Sequence, residues 1–379
     1  MNFDLTQDQM MIKNMVRDFA EAEILPEAEH VDKTGEFPLN TFKKMGELGF
    51  LGLPISEEYG GAGGDTISYA LAVEEVGRAS GSHGLSYAAA VSLGCSPFYY
   101  FGTEEQKQQW LKPLAEGKIL GAFGLTEPNA GSDAGGTQTT AVLDGNEWVI
   151  NGSKCFITNV TYAGVCIVTA VTDKSKGTKG ITSFIIPTDT PGFRTSTPYD
   201  KLGLKGSNTA EIIMEDVRVP KENILGSLDN GFKQFMITLD GGRISIGALS
   251  VGIAQAAYEA ALKYSQERMQ FGQSISKFQA IQFKLADMAM NIELARTAVL
   301  KAAWLKDQGR PFTKEGAIAK LFASEICMRA CDQAIQIHGG YGYMKEYPVE
   351  RFFRDAKLME IGEGTSEIQR IVIARQIGC

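Results

Sequence analysis

Histidine is scarce in this chain, with His30, His83 and His338 its only three in 379 residues. No Ser, His and Asp fall in an order that suggests a hydrolytic triad, and no cluster has metal-ligand spacing. The six cysteines (Cys95, Cys155, Cys166, Cys327, Cys331, Cys379) include no CxxC pair. Cys327 and Cys331 lie one helical turn apart without a second pair to complete a zinc site. No GxGxxG follows a strand, no GxxxxGK[ST] occurs, and GGAGGD at 60–65 misses the dinucleotide spacing and reads as a loop. No run of 18 apolar residues is present, so no membrane span is expected. A net charge of −8 and a pI near 5.2 argue against nucleic acid as a partner. They leave room for a phosphate-bearing ligand in a local cationic pocket. The polar, acidic opening NFDLTQDQ does not read as a targeting peptide, and with the scattered thiols it gives the expectation of a cytoplasmic protein.

What the chain does carry is a change of period. Residues 1–120 read as helices: Thr6 and Gln9 form a capping box, and Met11, Met15 and Phe19 repeat at helical spacing until Pro26. Further helices are expected near 38–48 and 66–78, and from Thr103 onward. Residues 121–228 turn to strands rich in Val, Ile and Thr, with Asp144-Gly145 marking a hairpin. Residues 229–379 return to long helices. The expectation is an α+β chain: an N-terminal helical domain, a middle antiparallel β domain and a C-terminal four-helix-bundle-like domain. Alternating β and α is absent, which disfavours a doubly wound nucleotide fold.

With nucleophilic and metal chemistry disfavoured, attention falls on a carboxylate and a bound cofactor. In IGEGTSEIQR, residues 361–370, Glu363 stands between Gly362 and Gly364, where nothing neighbouring covers it. Ser366 with Gln369 reads as a capping box opening the last helix and leaves free N–H groups beside a candidate base. Four other segments accompany it. GLTEPNAGSDAGG (124–136) offers backbone and hydroxyl groups to a flat polar ligand. LDGGR (239–243) sets Asp240 and Arg243 near a helix start. ERMQFG (267–272) carries Arg268, suited to a phosphate. QIHGGYGY (336–343) leads into YPVERFFRDAK, with His338 read as packing.

Taken together and in this order, these segments resemble the acyl-CoA dehydrogenase family, near its short-chain, butyryl-type members, over essentially the whole chain. The resemblance implies FAD as cofactor, an acyl-CoA substrate, an electron-transferring flavoprotein as acceptor and a homotetramer. It implies flavin contacts from Phe123, Leu125, Thr126, Gly131 and Ser132, with Ser132 also near the CoA arm, and from Phe156 and Thr158. Phe156 stands where the family often has tryptophan. Arg268, Phe271, Gln279, Gln336, Gly339 and Gly340 match positions gripping the adenine-dinucleotide half, partly across a subunit interface, with Thr365 and Glu367 near the same half. Asp240 and Arg243 match CoA-side positions, and Gly364 lies against the substrate.

By the same resemblance Glu363 removes the α-proton of the thioester while the β-hydrogen leaves as hydride. Its backbone N–H and a ribityl hydroxyl would hold the carbonyl oxygen. Burial should raise the pKa of Glu363 and strengthen it as a base. Many relatives have tyrosine just before this Glu, whereas this chain has Gly362. Isovaleryl-type enzymes share that glycine but place the base on the earlier helix, where this chain has Gly242. Gly362 either widens the pocket for a branched acyl chain or is a neutral change in a butyryl-type enzyme. An acyl-CoA oxidase and a non-catalytic relative are the rival readings.

Overall fold

A computed structural model describes residues 4–379. Its N-terminal helices are α1 Gln7–Phe19, α2 Ala28–Thr34, α3 Leu39–Glu47, α4 Thr66–Ala79, α5 Gly81–Ala89, α6 Ser96–Phe101, α7 Glu104–Gln106 and α8 Lys112–Ala115. The capping box at Thr6 forms, and Thr103 with Gln106 forms a second. Pro26 does not stop the first helical run as expected. A π-turn over Ala20–Ile24 and a 3₁₀ turn over Leu25–Glu27 seat the proline near a helix start, where its missing N–H costs nothing, and α2 continues.

The middle unit holds β1 Leu120–Gly124, β2 Thr140–Asp144, β3 Glu147–Thr158, β4 Ala163–Val171, β5 Ile181–Pro187, β6 Phe193–Thr195 and β7 Thr209–Pro220. One sheet runs β1-β4-β2-β3-β7-β6, with β5 on β4. The expected hairpin pairs Asp144 with Glu147 across Gly145, whose φ is +62°. The antiparallel expectation is corrected at one side: β4 pairs parallel with β1 and touches β2 in parallel. β1 enters from the helical part and β4 returns only after the hairpin, so the two are non-consecutive and run the same way.

The remaining helices are α9 Gly231–Glu267, α10 Gln279–Asp307, α11 Thr313–His338, α12 Val349–Met359 and α13 Ser366–Ile377. α9 packs on α4, α10 and α11, so a helix from the first part completes the bundle. A Cβ at Gly252 of α9 would lie 2.2 Å from the Glu74 carbonyl of α4, so only glycine permits this approach. The two helical parts share one core, with Val16, Met45 and Val73 beside Leu249, Cys327 and Val349. The sheet has its own core around Ile150, Phe184 and Ile212. α9 is long and apolar enough by composition to cross a membrane, and 72% of its most apolar window is buried in the fold.

Candidate active site

The loop between α12 and α13 is built around two residues of left-handed conformation, Glu363 (φ +51°) and Gly364 (φ +94°). Such a φ is uncommon for a residue with a side chain and marks local strain. At Gly364 an added Cβ would fall 2.8 Å from Gln369 Nε2. At Gly362 φ is ordinary, and a Cβ would make normal contact with Leu358 at 3.5–3.6 Å. The expected cap is shifted by one residue: Thr365, not Ser366, caps α13, its Oγ1 accepting from Ile368 N–H at 3.3 Å. Gln369 is buried and turns back to the loop, donating to the Gly364 carbonyl at 2.9 Å and the Glu363 carbonyl at 3.3 Å. From α11 the buried Lys320 donates to the Gly364 carbonyl at 2.7 Å.

These bonds aim the Glu363 side chain at α9, where a Cβ on Gly242 would lie 1.9 Å from Oε2. The carboxylate therefore occupies the gap left by a missing side chain. Oε2 is buried without a hydrogen-bond partner. Burial pushes the Glu363 carboxyl up to about 7, with Lys320 and Arg243 pulling the other way. Asp240 and Arg243 lie well inside α9, not near its start, because the helix begins at Gly231. Arg243 donates to Asp240, and Asp240 also accepts from Thr313 Oγ1 at 2.7 Å. Beside Gly241 a cavity of about 190 Å³ is lined by Tyr69, Ser92, Ser96, Thr238 and Lys306. Nothing in the sequence pattern pointed to it.

A larger cavity of about 470 Å³ lies where α9 and α11 end and gathers Arg268, Gly339 and Gly340 with Tyr264 and Tyr341. Gly339 closes α11 at φ +62°, ψ −137°, a conformation reserved for glycine. A Cβ on Gly339 or Gly340 would meet no atom within 4 Å. The Arg268 guanidinium stacks over Tyr341 at 5.5 Å and forms no ion pair among the described residues. Beyond it, β8 Met269–Gln270 and β9 Gln273–Ser274 join through Phe271 and Gly272, both at positive φ, as a type I′ turn demands. Phe271 at the tip is 92% exposed. Gln279 begins α10 and Gln336 sits in the last turn of α11. Thr365 and Glu367 stand at the start of α13 and line neither cavity. His338 is buried against Tyr264 with Nδ1 on the Ala334 carbonyl, a packing role as read.

The residues expected on the flavin side come together through a bulge. Between Lys154 and Ile157 the β3–β7 register slips, and Phe156 adopts φ +59° and is 66% exposed against Tyr199. Bulges of this kind re-aim a side chain beside a site. The N–H of Cys155 donates to the Thr126 carbonyl at 2.9 Å, joining the 124–136 segment to this strand. Leu125, Thr126 and Thr158 are half-buried, and Gly131 and Ser132 are exposed. Phe123 differs from the rest, since it packs into the core with its ring 3.8 Å from that of Phe235. Behind the segment lies a pair the sequence reading missed. Buried Lys154 donates to Glu127 at 2.7 Å and to the Leu125 carbonyl at 3.2 Å. Glu127 accepts the N–H groups of Gln138 and Thr139. The available signal was a lysine at an inward position of an alternating strand.

An open glycine corner, an unpaired arginine and an aromatic strained outward fit a flat dinucleotide cofactor. Three family models match in succession: the N-terminal domain of acyl-CoA dehydrogenase over 6–118, the middle domain over 122–217 and the C-terminal domain over 229–378. The chain belongs to the acyl-CoA dehydrogenase family, whose members use FAD. A probable acyl-CoA dehydrogenase of Bacillus subtilis (strain 168) is 73% identical over 378 residues, covering all of both chains. The short-chain specific acyl-CoA dehydrogenase of Clostridium acetobutylicum is 51% identical over 377 residues, again covering both in full. The structure of butyryl-CoA dehydrogenase from Megasphaera elsdenii superposes with a TM-score of 0.98 at 48% identity, covering 100% of each chain.

Proposed function

We propose that this chain oxidises a short acyl-CoA to its trans-2-enoyl thioester, with Glu363 as the base that removes the α-proton. The observation that carries this reading is the Glu363 carboxylate, its Oε2 buried and unpartnered, set on a strained turn against Gly242. With its pKa near 7, a useful fraction of Glu363 is ionised at neutral pH and basic enough to act on a carbon acid. FAD, when bound, supplies the acceptor for the β-hydride. The chain's own residues hold the ligands: Arg268, Gly339 and Gly340 the dinucleotide half, the 124–136 segment and Phe156 the ring side, and Asp240 and Arg243 the CoA arm. Electrons pass on to an electron-transferring flavoprotein.

The test is flavin bleaching by butyryl-CoA under anaerobic conditions. Glu363→Gln is expected to keep bound flavin and lose bleaching by about 10²–10⁴-fold. Retention of near-normal bleaching sinks the assignment, and peroxide release under air without a flavoprotein acceptor would favour an oxidase.

Gly362 supports a pocket open beside the reacting carbons, because neither its backbone nor its neighbours require glycine. Gly362→Tyr is expected to lower kcat/KM for isovaleryl-CoA more than for butyryl-CoA. An unchanged ratio leaves a butyryl-type enzyme with a neutral glycine.

A homotetramer is supported by exposed apolar residues. Phe283, Met290 and Leu294 form one exposed face of α10, and Tyr343 and Phe271 stand almost free. Light scattering on Leu294→Asp should show smaller particles that lose FAD. A cytoplasmic location accords with five buried, unpaired cysteines.

A further inference from the structure

We infer that Lys320 is the positioning residue of the base: its buried amine fixes the turn that carries Glu363 and supplies the cation that matches the Glu363 carboxylate. This rests on Glu363 being the base. Lys320 is fully buried, and its Nζ lies 2.7 Å from the Gly364 carbonyl. No carboxylate oxygen comes within the 4.0 Å of an ion pair among the described residues. A buried ammonium without a matching charge is costly. The charged groups facing it are Glu363 on the loop, Arg243 on α9, Glu360 beyond the end of α12 and Glu367 on α13. Glu367 is exposed, Glu360 is paired with Lys357 at 2.5 Å, and Arg243 has Asp240. Glu363, its Oε2 buried and faced by Lys320 and Arg243 and by Tyr69 from α4, is the carboxylate left to match Lys320.

Two consequences follow. Lys320 and Gln369 both donate to the Gly364 carbonyl, which holds a turn with two successive positive φ values in one shape. The charge match also makes ionisation of Glu363 easier than burial alone would allow. Burial lowers the Lys320 amine to about 8, while Glu363 acts to raise it.

The test uses the FAD-loaded enzyme and single-turnover bleaching by butyryl-CoA across pH. Lys320→Gln keeps a donor and removes the charge. Its rising limb is expected about one pH unit higher than wild type. Lys320→Arg keeps the charge, and its limb should stay within about 0.3 unit. Gln369→Leu should lower the plateau severalfold without moving the limb. An unmoved limb in Lys320→Gln, or equal shifts in Lys320→Gln and Lys320→Arg, overturns the proposal. If Lys320→Gln does not retain flavin, Glu363→Gln carries the test through selectively labelled lysine resonances. Lys320 should then lose its proton about one unit lower than in wild type, and an unchanged titration overturns the proposal. Bleaching that survives in Glu363→Gln rejects the base assignment instead and so separates the two failures.

Discussion

Two lysines are fully buried in this molecule, and they are settled in opposite ways. Lys154, behind the 124–136 segment, has a carboxylate at 2.7 Å, a carbonyl and a hydroxyl, so its charge is matched by contact. Lys320, behind the 361–365 turn, has one carbonyl and faces Glu363 only at a distance. The first arrangement makes a fixed wall, since every partner of Lys154 is permanent. The second leaves a carboxylate close enough to feel the cation yet free of a bond that would occupy it. A base that must exchange protons needs the second arrangement, and a cofactor seat needs the first.

The comparison can be broken from the Lys154 side first. Lys154→Met strands Glu127 as a buried unpaired carboxylate and is expected to cost about 3–5 kcal/mol, read as a fall in the denaturation midpoint. Adding Glu127→Leu should recover part of that loss, and no recovery would show that the pair acts through more than its charges. Next comes the proposed base. Glu363 has an ordinary pKa of 4.5 when unfolded and about 7 when folded, so the folded chain holds its proton longer. Stability attributable to this group therefore falls as pH rises from 4.5 to about 7 and stays low above it. Glu363→Gln should be neutral near pH 4 and stabilising at pH 8, by at most about 3 kcal/mol. A melting gain equal at both pH values contradicts this.

Lys320→Met is expected to cost only about 1–2 kcal/mol, less than Lys154→Met, because the Gly364 carbonyl keeps Gln369 as a donor. Equal losses at the two lysines would erase the distinction drawn above. The smallest contrast is between the glycines. Gly364→Ala should lose about 1–2 kcal/mol through its φ of +94°, while Gly362→Ala should fall within about 1 kcal/mol of wild type in thermal melts.

Local chemistry made much of this legible. The capping box at Thr6, the helix start at Thr103 and the hairpin at Asp144-Gly145 are decided by residues a few positions apart, and all three form. Glu363, Arg268, Gly339 and Gly340 were marked by segment pattern and family resemblance, and the structure sets them on a loop and around one cavity. What escaped depends on distant partners. Lys154 and Lys320 drew no reading from the sequence, because only the fold brings Glu127 and the Gly364 carbonyl to them. The β1–β4 pairing is a contact between strands about 40 residues apart, which no local period records. The cap moved from Ser366 to Thr365 because the turn ahead of it, bent at Glu363 and Gly364, is shaped by Lys320 and Gln369.

The core shared by the two helical parts sets a timetable for making this protein. α4 ends at Ala79, but its partner α9 begins only at Gly231, with the whole β unit between. At about 5–20 residues per second, a ribosome needs roughly 8–30 s to cross that gap. Throughout it the apolar face of α4 waits without its partner, while the sheet, with a core of its own, can close. The β unit is thus able to fold as synthesis proceeds, and the helical body assembles around it last. Fragments ending before α9 should be insoluble and a natural target for chaperones.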